Sequence, residues 1–277
     1  MKHTINRRAL IKLGLAGAGL AASASPAQAL LRIVVSSGDF TPLPIAVPAF
    51  SGPETQLGID AANVVTANLR RSGLFVPLDA AGFPVRAGDI STTPDFGAWR
   101  NLGADAVLMG QVQRSGTQIQ ANVRLWDVVA GEQMFGSTYA TEQSSWRRIA
   151  HKVSDAVYTE LTGEGAYFDS RLVYVAESGP KANRRKRLAM IDADGANLNY
   201  LTDGAELVLT PRFSPDNRML TYVAYVNGNP QVFLLDVATG QQRGIGNFGQ
   251  MTFSPRFSPD GVQLAFSVTN SGNTNLV

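Results

Sequence analysis

The feature that most constrains this chain is a phrase that returns. Residues 210–226 read TPRFSPDNRMLTYVAYV and residues 254–268 read SPRFSPDGVQLAFSV, with Pro, Asp and the apolar positions in step at a spacing of 44. Self-similarity at such a period marks repeat architectures, in which each unit buries its apolar face only against a neighbour. In each copy a phenylalanine, Phe213 or Phe257, closes an extended segment, and Ser214 to Asn217 or Ser258 to Gly261 follows. Proline in second place presets φ at about −65°, and Ser, Asp, Asn and Gly suit the other positions of a type I turn. Leu220, Tyr222 and Ala224 then alternate with other residues, as do Leu264, Phe266 and Val268. That alternation predicts strands with one face buried. The first copy runs on through a turn at Asn227 to Pro230, the strand QVFLLDV, a turn at Ala238 to Gly240 and the polar strand QQRGI. Four short strands in about 44 residues is the arithmetic of a β-propeller blade.

A further unit opens at the closing TNLV, and an earlier one is legible in SRLVYVAES and RLAMIDADG, with Asp192 placed 44 residues before Asp236. That earlier unit lacks the opening PRFSPD strand; only Tyr167-Phe168-Asp169 stands there. Propellers close by pairing such a blade with a strand from the far end of the chain, which removes an open sheet edge. The sequence is therefore expected to be a fragment whose continuation beyond Val277 supplies that strand.

Ahead of the repeats the grammar changes. LRIVVSS and PIAVPAF read as strands. Glu54 to Arg71, entered through Pro53 and closed at Ser72-Gly73, predicts a helix, with Leu57, Ala61, Val64, Val65 and Leu69 on one face. Asp95 to Leu102 predicts a shorter helix, and residues 104–141 a three-stranded antiparallel meander. Trp146, Ile149, Val153, Val157 and Leu161 mark a long amphipathic helix ending at Gly163. The expectation is an α/β domain over residues 30–165, followed over residues 166–277 by part of an all-β propeller.

Residues 1–29 carry the marks of an export leader. Lys2, Arg7, Arg8 and Lys12 precede the apolar run Leu13 to Ala24, and Ala27-Gln28-Ala29 forms a small-residue cleavage site before Leu30. The apolar run falls short of the roughly 20 residues needed to span a bilayer. NRRALIK admits twin-arginine export of a folded protein, with the general secretory route as the alternative. Without the leader, the remaining 248 residues hold 20 basic and 22 acidic side chains, so the formal charge falls from +2 to −2. The basic pI is then no argument for nucleic acid.

The chain has no cysteine, which excludes thiolate chemistry and cysteine-based metal sites. His151 is the one histidine beyond the leader and reads as structural. KANRRKR (Lys181 to Arg187) reads as a solvated hairpin tip. DADGANLN (Asp192 to Asn199) lacks the closing Glu of a calcium loop and reads as a turn. No G-x-x-x-x-G-K-[ST] and no G-x-S-x-G occurs. No cofactor or metal is expected, and no catalytic residue is assigned.

Taken together, LRIVVSSG, PIAVPAF, LRRSGLFVPLD, LGADAVLMGQV and AHKVSDAVYTELTGEGAYFDSRLVYV, running into the FSPDG repeats, resemble the TolB family, periplasmic components of the Tol–Pal cell-envelope system of Gram-negative bacteria. The resemblance spans the whole sequence after the leader. It implies an N-terminal α/β domain and a six-bladed propeller, of which about two and a half blades are present. It further implies a non-enzymatic, monomeric scaffold supporting outer-membrane integrity, protein transport and envelope constriction at cell division. Its propeller would bind the lipoprotein Pal, and it would meet membranes only through partners. The arm exposed by leader cleavage would bind TolA; here that arm is Leu30, Leu31, Arg32, Ile33, Val34, Val35, Ser36 and Ser37. A short β-former suits addition to a partner's sheet edge. The alternative is the propeller portion of a secreted serine peptidase whose hydrolase domain lies outside the sequence.

Overall fold

The computed structural model describes Leu31, Ile33 and residues 41–85, 87–246, 248 and 251–277 of the chain. Its first half is an α/β sandwich. β1 (Leu43–Ala46) and β2 (Ala49–Phe50) lead into α1 (Thr55–Ser72), then β3 (Phe75–Pro77), β4 (Ala87–Gly88) and α2 (Phe96–Asn101). The meander follows as β5 (Ala106–Ser115), β6 (Gln118–Asp127) and β7 (Glu132–Glu142), and α3 (Trp146–Thr162) closes the unit. Five strands form one sheet in the order β3-β1-β5-β6-β7, while β2 and β4 pair in parallel beside it.

Side chains alternate across a strand, so the two faces of this sheet bury different partners. Ile45, Leu108, Ile119, Val123 and Leu125 face α1 and α3, joined by Val65, Leu69, Val153, Val157 and Leu161. Val107, Met109, Trp126 and Val128 belong to a smaller cluster with Trp99 of α2, against which Phe83 packs edge-on at 5.1 Å. Each helix stops where its sequence says it should. Gly73 and Gly163 follow α1 and α3 at φ 76° and 74°, the left-handed conformation that glycine enters without steric cost. Asp95 caps α2 by accepting from the Gly97 and Ala98 amides. Gly58, inside α1, sits directly on β2, where an added Cβ would lie 2.1 Å from the Phe50 carbonyl oxygen.

The second half is a row of sheets. β8 (Arg171–Ser178), β9 (Arg185–Asp192) and β10 (Asn199–Tyr200) form the first. β11 (Leu207–Phe213), β12 (Met219–Val226), β13 (Asn229–Asp236) and β14 (Gln242–Gly244) form the second, in that order. β15 (Thr252–Phe257), β16 (Leu264–Asn270) and β17 (Asn273–Leu276) form the third, so the closing TNLV continues this sheet as the counterpart of β13 and does not open a further unit. The first sheet begins at β8, the counterpart of β12, and among the described residues it has no strand matching β11.

The repeat has a physical cause in its turns. The Ser214 hydroxyl donates to Asp216 Oδ1 (2.6 Å) and accepts from the Met219 amide (2.9 Å). Ser258 repeats both contacts with Asp260 (2.5 Å) and the Gln263 amide (2.9 Å). The fourth residue, Asn217 or Gly261, has φ 58° or 76°, a conformation open chiefly to Asn and Gly. The hairpin tips Asn227-Gly228 and Ser271-Gly272 both hold two positive φ angles, as a two-residue type I′ turn requires.

Two further expectations need correction. Alternation along β12 predicts one buried face, yet Leu220, Thr221, Tyr222, Val223 and Ala224 are all buried. The middle sheet lies between two others, so both its faces are covered. β16, in the last sheet, does alternate. The inner strands are also not regular extended segments. Thr210 and Ser254 adopt φ 50° and 55° ahead of Pro211 and Pro255, and the register of each strand shifts there. A bulge absorbs the proline, which cannot donate to a ladder.

Candidate partner-binding site

Two of the eight arm residues are described, and both meet the helical face of the α/β unit. Ile33 is 8% exposed and joins the core cluster, with Leu31 packed beside it. The Ile33 amide donates to the Leu161 carbonyl at 2.7 Å. A helix leaves its last carbonyls without internal partners, so the arm satisfies a group that would otherwise need water. Neither residue belongs to a strand. LRIVVSS therefore meets the fold, at its described positions, through a helix end and a hydrophobic slot and not through a sheet ladder. Leu30, Arg32, Val34, Val35, Ser36 and Ser37 lie outside the described residues, as does the cleavage position Ala29.

The other end of α3 holds the first propeller sheet. Arg147 donates through Nε (2.8 Å) and Nη2 (2.5 Å) to Asp194 Oδ2, in the turn between β9 and β10. Arg148 forms a two-bond fork with Asp169 at 3.1 Å. Asp155 accepts from the Phe168 amide (2.7 Å) and the Asp169 amide (3.2 Å). Phe168 is fully buried, with the Tyr158 ring edge-on at 5.7 Å. The segment Tyr167-Phe168-Asp169, which stands where a blade strand is expected, is thus clamped to α3.

At the centre of the joint His151 is 1% exposed. Its Nδ1 lies 2.9 Å from Asn68 Nδ2 on α1, and its Nε2 lies 3.6 Å from Asp194 Oδ2. The surrounding bonds fix its proton. Arg71 Nη2 donates to Asn68 Oδ1 at 2.8 Å, and an arginine can only donate. The Asn68 amide group therefore points to Ser154 Oγ (2.9 Å) and to His151, whose Nδ1 must accept. The imidazole is neutral, with its hydrogen on Nε2, which lies near Asp194 but reaches no hydrogen-bond partner among the described residues. Burial pushes the His151 pKa down, and the facing Asp194 and Asp192 carboxylates only partly oppose it. Burial also raises Asp194, yet the Ala196 amide and the Arg147 guanidinium outweigh that and leave it below the usual carboxylate range.

His151, Asp192 and Asp194 also satisfy the spacing of a three-ligand cation site. Their partners argue otherwise. Asp194 is taken by Arg147, Asp192 Oδ2 accepts from Asn197 Nδ2 at 2.6 Å, and metal at Nε2 would drive the ring hydrogen onto Nδ1, against the Asn68 amide group. The arrangement is a hydrogen-bonded joint between α1, α3 and the first blade, not a metal centre.

Residues 31–134 match the family model of the TolB amino-terminal domain, and residues 158–277 that of the TolB beta propeller domain. The chain belongs to the TolB family. A relative from Paramagnetospirillum magneticum, Tol-Pal system protein TolB, is 46% identical over 235 residues, which is 83% of this chain and 53% of the relative. The chain thus spans about half the length of that curated relative. The crystal structure of TolB from Acinetobacter baumannii matches with a TM-score of 0.73 at 26% identity, over 89% of this chain and 60% of that one.

In this TolB-family chain the remaining sequence candidates are structural. Arg184 and Lys186 both pair with Glu177 (2.7 and 2.8 Å), and the Arg187 guanidinium lies 3.6 Å from the Tyr200 ring centre. Much of the KANRRKR charge is therefore absorbed within its own sheet. DADGANLN is a turn, as expected, but its Asp194 is also the acceptor at the joint. Sequence reading missed Arg147, Asp155, Asn68 and Phe168. One signal was available: Arg147, His151 and Asp155 recur every four residues, which sets a polar stripe along one side of an otherwise apolar helix face.

Proposed function

We propose that this chain is a non-enzymatic protein-binding scaffold of the Tol–Pal system, working in the periplasm after cleavage between Ala29 and Leu30. Leu30 to Ser37 form the arm that engages TolA, and the propeller of the complete protein takes Pal. The reading rests on family membership, on the leader and on one observation: the described part of the arm is held by a single backbone bond, Ile33 to Leu161, and a hydrophobic slot. A terminal segment held in this way at its described positions can leave its parent at modest cost. Among the described residues no helix is long and apolar enough to cross a membrane.

If Pal binding changes how often the arm is free, the coupling is worth about 1–3 kcal/mol and must be reciprocal. Deleting Leu30 to Ser37 is expected to abolish TolA binding and to leave Pal binding by the full-length protein intact. Saturating Pal is expected to weaken TolA binding, measured by calorimetric titration with and without Pal. Undiminished TolA binding by the deletion variant would remove the arm from the mechanism, and equal affinities with and without Pal would leave it a simple tether.

A further inference from the structure

The five-stranded sheet ends differently on its two sides. At one edge stands β3, three residues long and closed by Pro77, which is a blunted edge. At the other stands β7, eleven residues long, and no backbone hydrogen bond from another described segment reaches its outer side. A long, open strand edge is a template for a further strand unless something discourages it. The open sheet edges of the second half, among them β8, which faces the position where a blade strand is expected, belong to the propeller.

β7 carries its charges only at its ends. Glu132 opens it, Glu142 closes it, and QMFGSTYAT between them has no charge and no proline. Both glutamates are exposed, and neither forms an ion pair with a described residue. Phe135 and Tyr139 pack against the core under α3, while Gly136, Thr138 and Ala140 are exposed. Met134 is the extra residue of a bulge, since Phe135 pairs with Leu125 and Gln133 with Trp126. The regular run on offer is therefore Phe135 to Glu142.

The charge pattern selects the occupant. In a parallel pairing of two copies, Glu132 meets Glu132 and Glu142 meets Glu142. In an antiparallel pairing centred on Ser137, Glu132 meets Glu142 twice. Like charges set opposite one another destabilise a strand pair, so a second copy is disfavoured in both of these full-length registers. We propose that the β7 edge is a docking surface for an extended segment of another protein, uncharged and β-prone in its middle and basic near both ends. Main-chain bonds along Phe135 to Glu142 supply the affinity, and the two glutamates supply the selection.

The test uses an eleven-residue peptide matched in length to β7, with lysine at both ends and alternating Thr and Val between. Titrated by fluorescence anisotropy against the chain, it is expected to bind, more weakly as salt rises. The same peptide ended in glutamate is expected to bind at least about tenfold more weakly. Glu132→Lys combined with Glu142→Lys reverses that preference, and circular dichroism checks that the variant is folded. Hydrogen exchange places the new protection on Gly136 to Glu142. Binding of neither peptide, equal binding of both, protection away from β7, or a stable dimer of the parent chain through this edge would each overturn the proposal.

Discussion

A proton on His151 has nowhere comfortable to go. Nδ1 faces the Asn68 amide group, so a second hydrogen there would set donor against donor, and the ring is buried besides. The folded-state pKa therefore lies below the ordinary value of 6.5. Above that value the ring is neutral in folded and unfolded chains alike, and its contribution is fully present. As pH falls through it, the unfolded chain binds a proton that the folded chain resists, and stability is lost. Thermal melts are expected to drop as pH falls from 6.5 toward the depressed folded value. His151→Gln keeps an acceptor toward Asn68 and a donor toward Asp194 but does not titrate, so its melting temperature should fall less over the same range. An identical slope in both proteins would rule out His151 as the source. Tyr222, by contrast, does not change state near neutrality. Burial pushes it up to about 12, and it remains a donor to Gln242 Oε1 at 2.5 Å.

Among elements, α1 shows how packing overrides propensity. Gly58→Ala in a free helix is favourable by about 1 kcal/mol. Here the new Cβ falls on the Phe50 carbonyl oxygen, and backbone cannot swing aside as a side-chain tip can. Overpacking of this kind costs about 1–3 kcal/mol, so the variant is expected to be less stable in urea denaturation; a gain would refute the close approach. Phe168→Ala belongs to the same scale. It removes a fully buried ring from the clamp on α3, a loss of about 3–5 kcal/mol, and limited proteolysis should then cut near residues 163–170 faster than in the parent. The elements themselves were legible in the sequence because their signals are local. Apolar spacing along α1 and α3, glycines at the helix ends and Asn-Gly at a hairpin tip act within a few residues. The double burial of β12 was not legible, because Thr221 and Val223 meet a neighbouring sheet distant in sequence. The bulges at Thr210 and Ser254 were hidden for another reason: the Thr-Pro and Ser-Pro pairs that mark them sit in strands whose other residues look regular.

For the molecule as a whole, the candidate site divides in the same way. The arm is proposed from its position after the expected leader and from family resemblance; its neighbour in the fold, Leu161 at the end of α3, lies 128 residues away from Ile33 and no local pattern points to it. The joint was equally hidden, since Asn68, His151 and Asp194 come from three separate segments and each looks ordinary alone. What connects the two is α3 itself. Arg147 grips the first blade near its start, and Leu161 holds the arm near its finish. At 1.5 Å per residue the helix sets these points about 21 Å apart. A rod of that length, tilted by about 10° about its gripped end, carries its free end through roughly 3.7 Å. A hydrogen bond of 2.7 Å does not survive such a displacement. If the blade turned the helix as a rigid rod about Arg147, the arm contact at its other end would break.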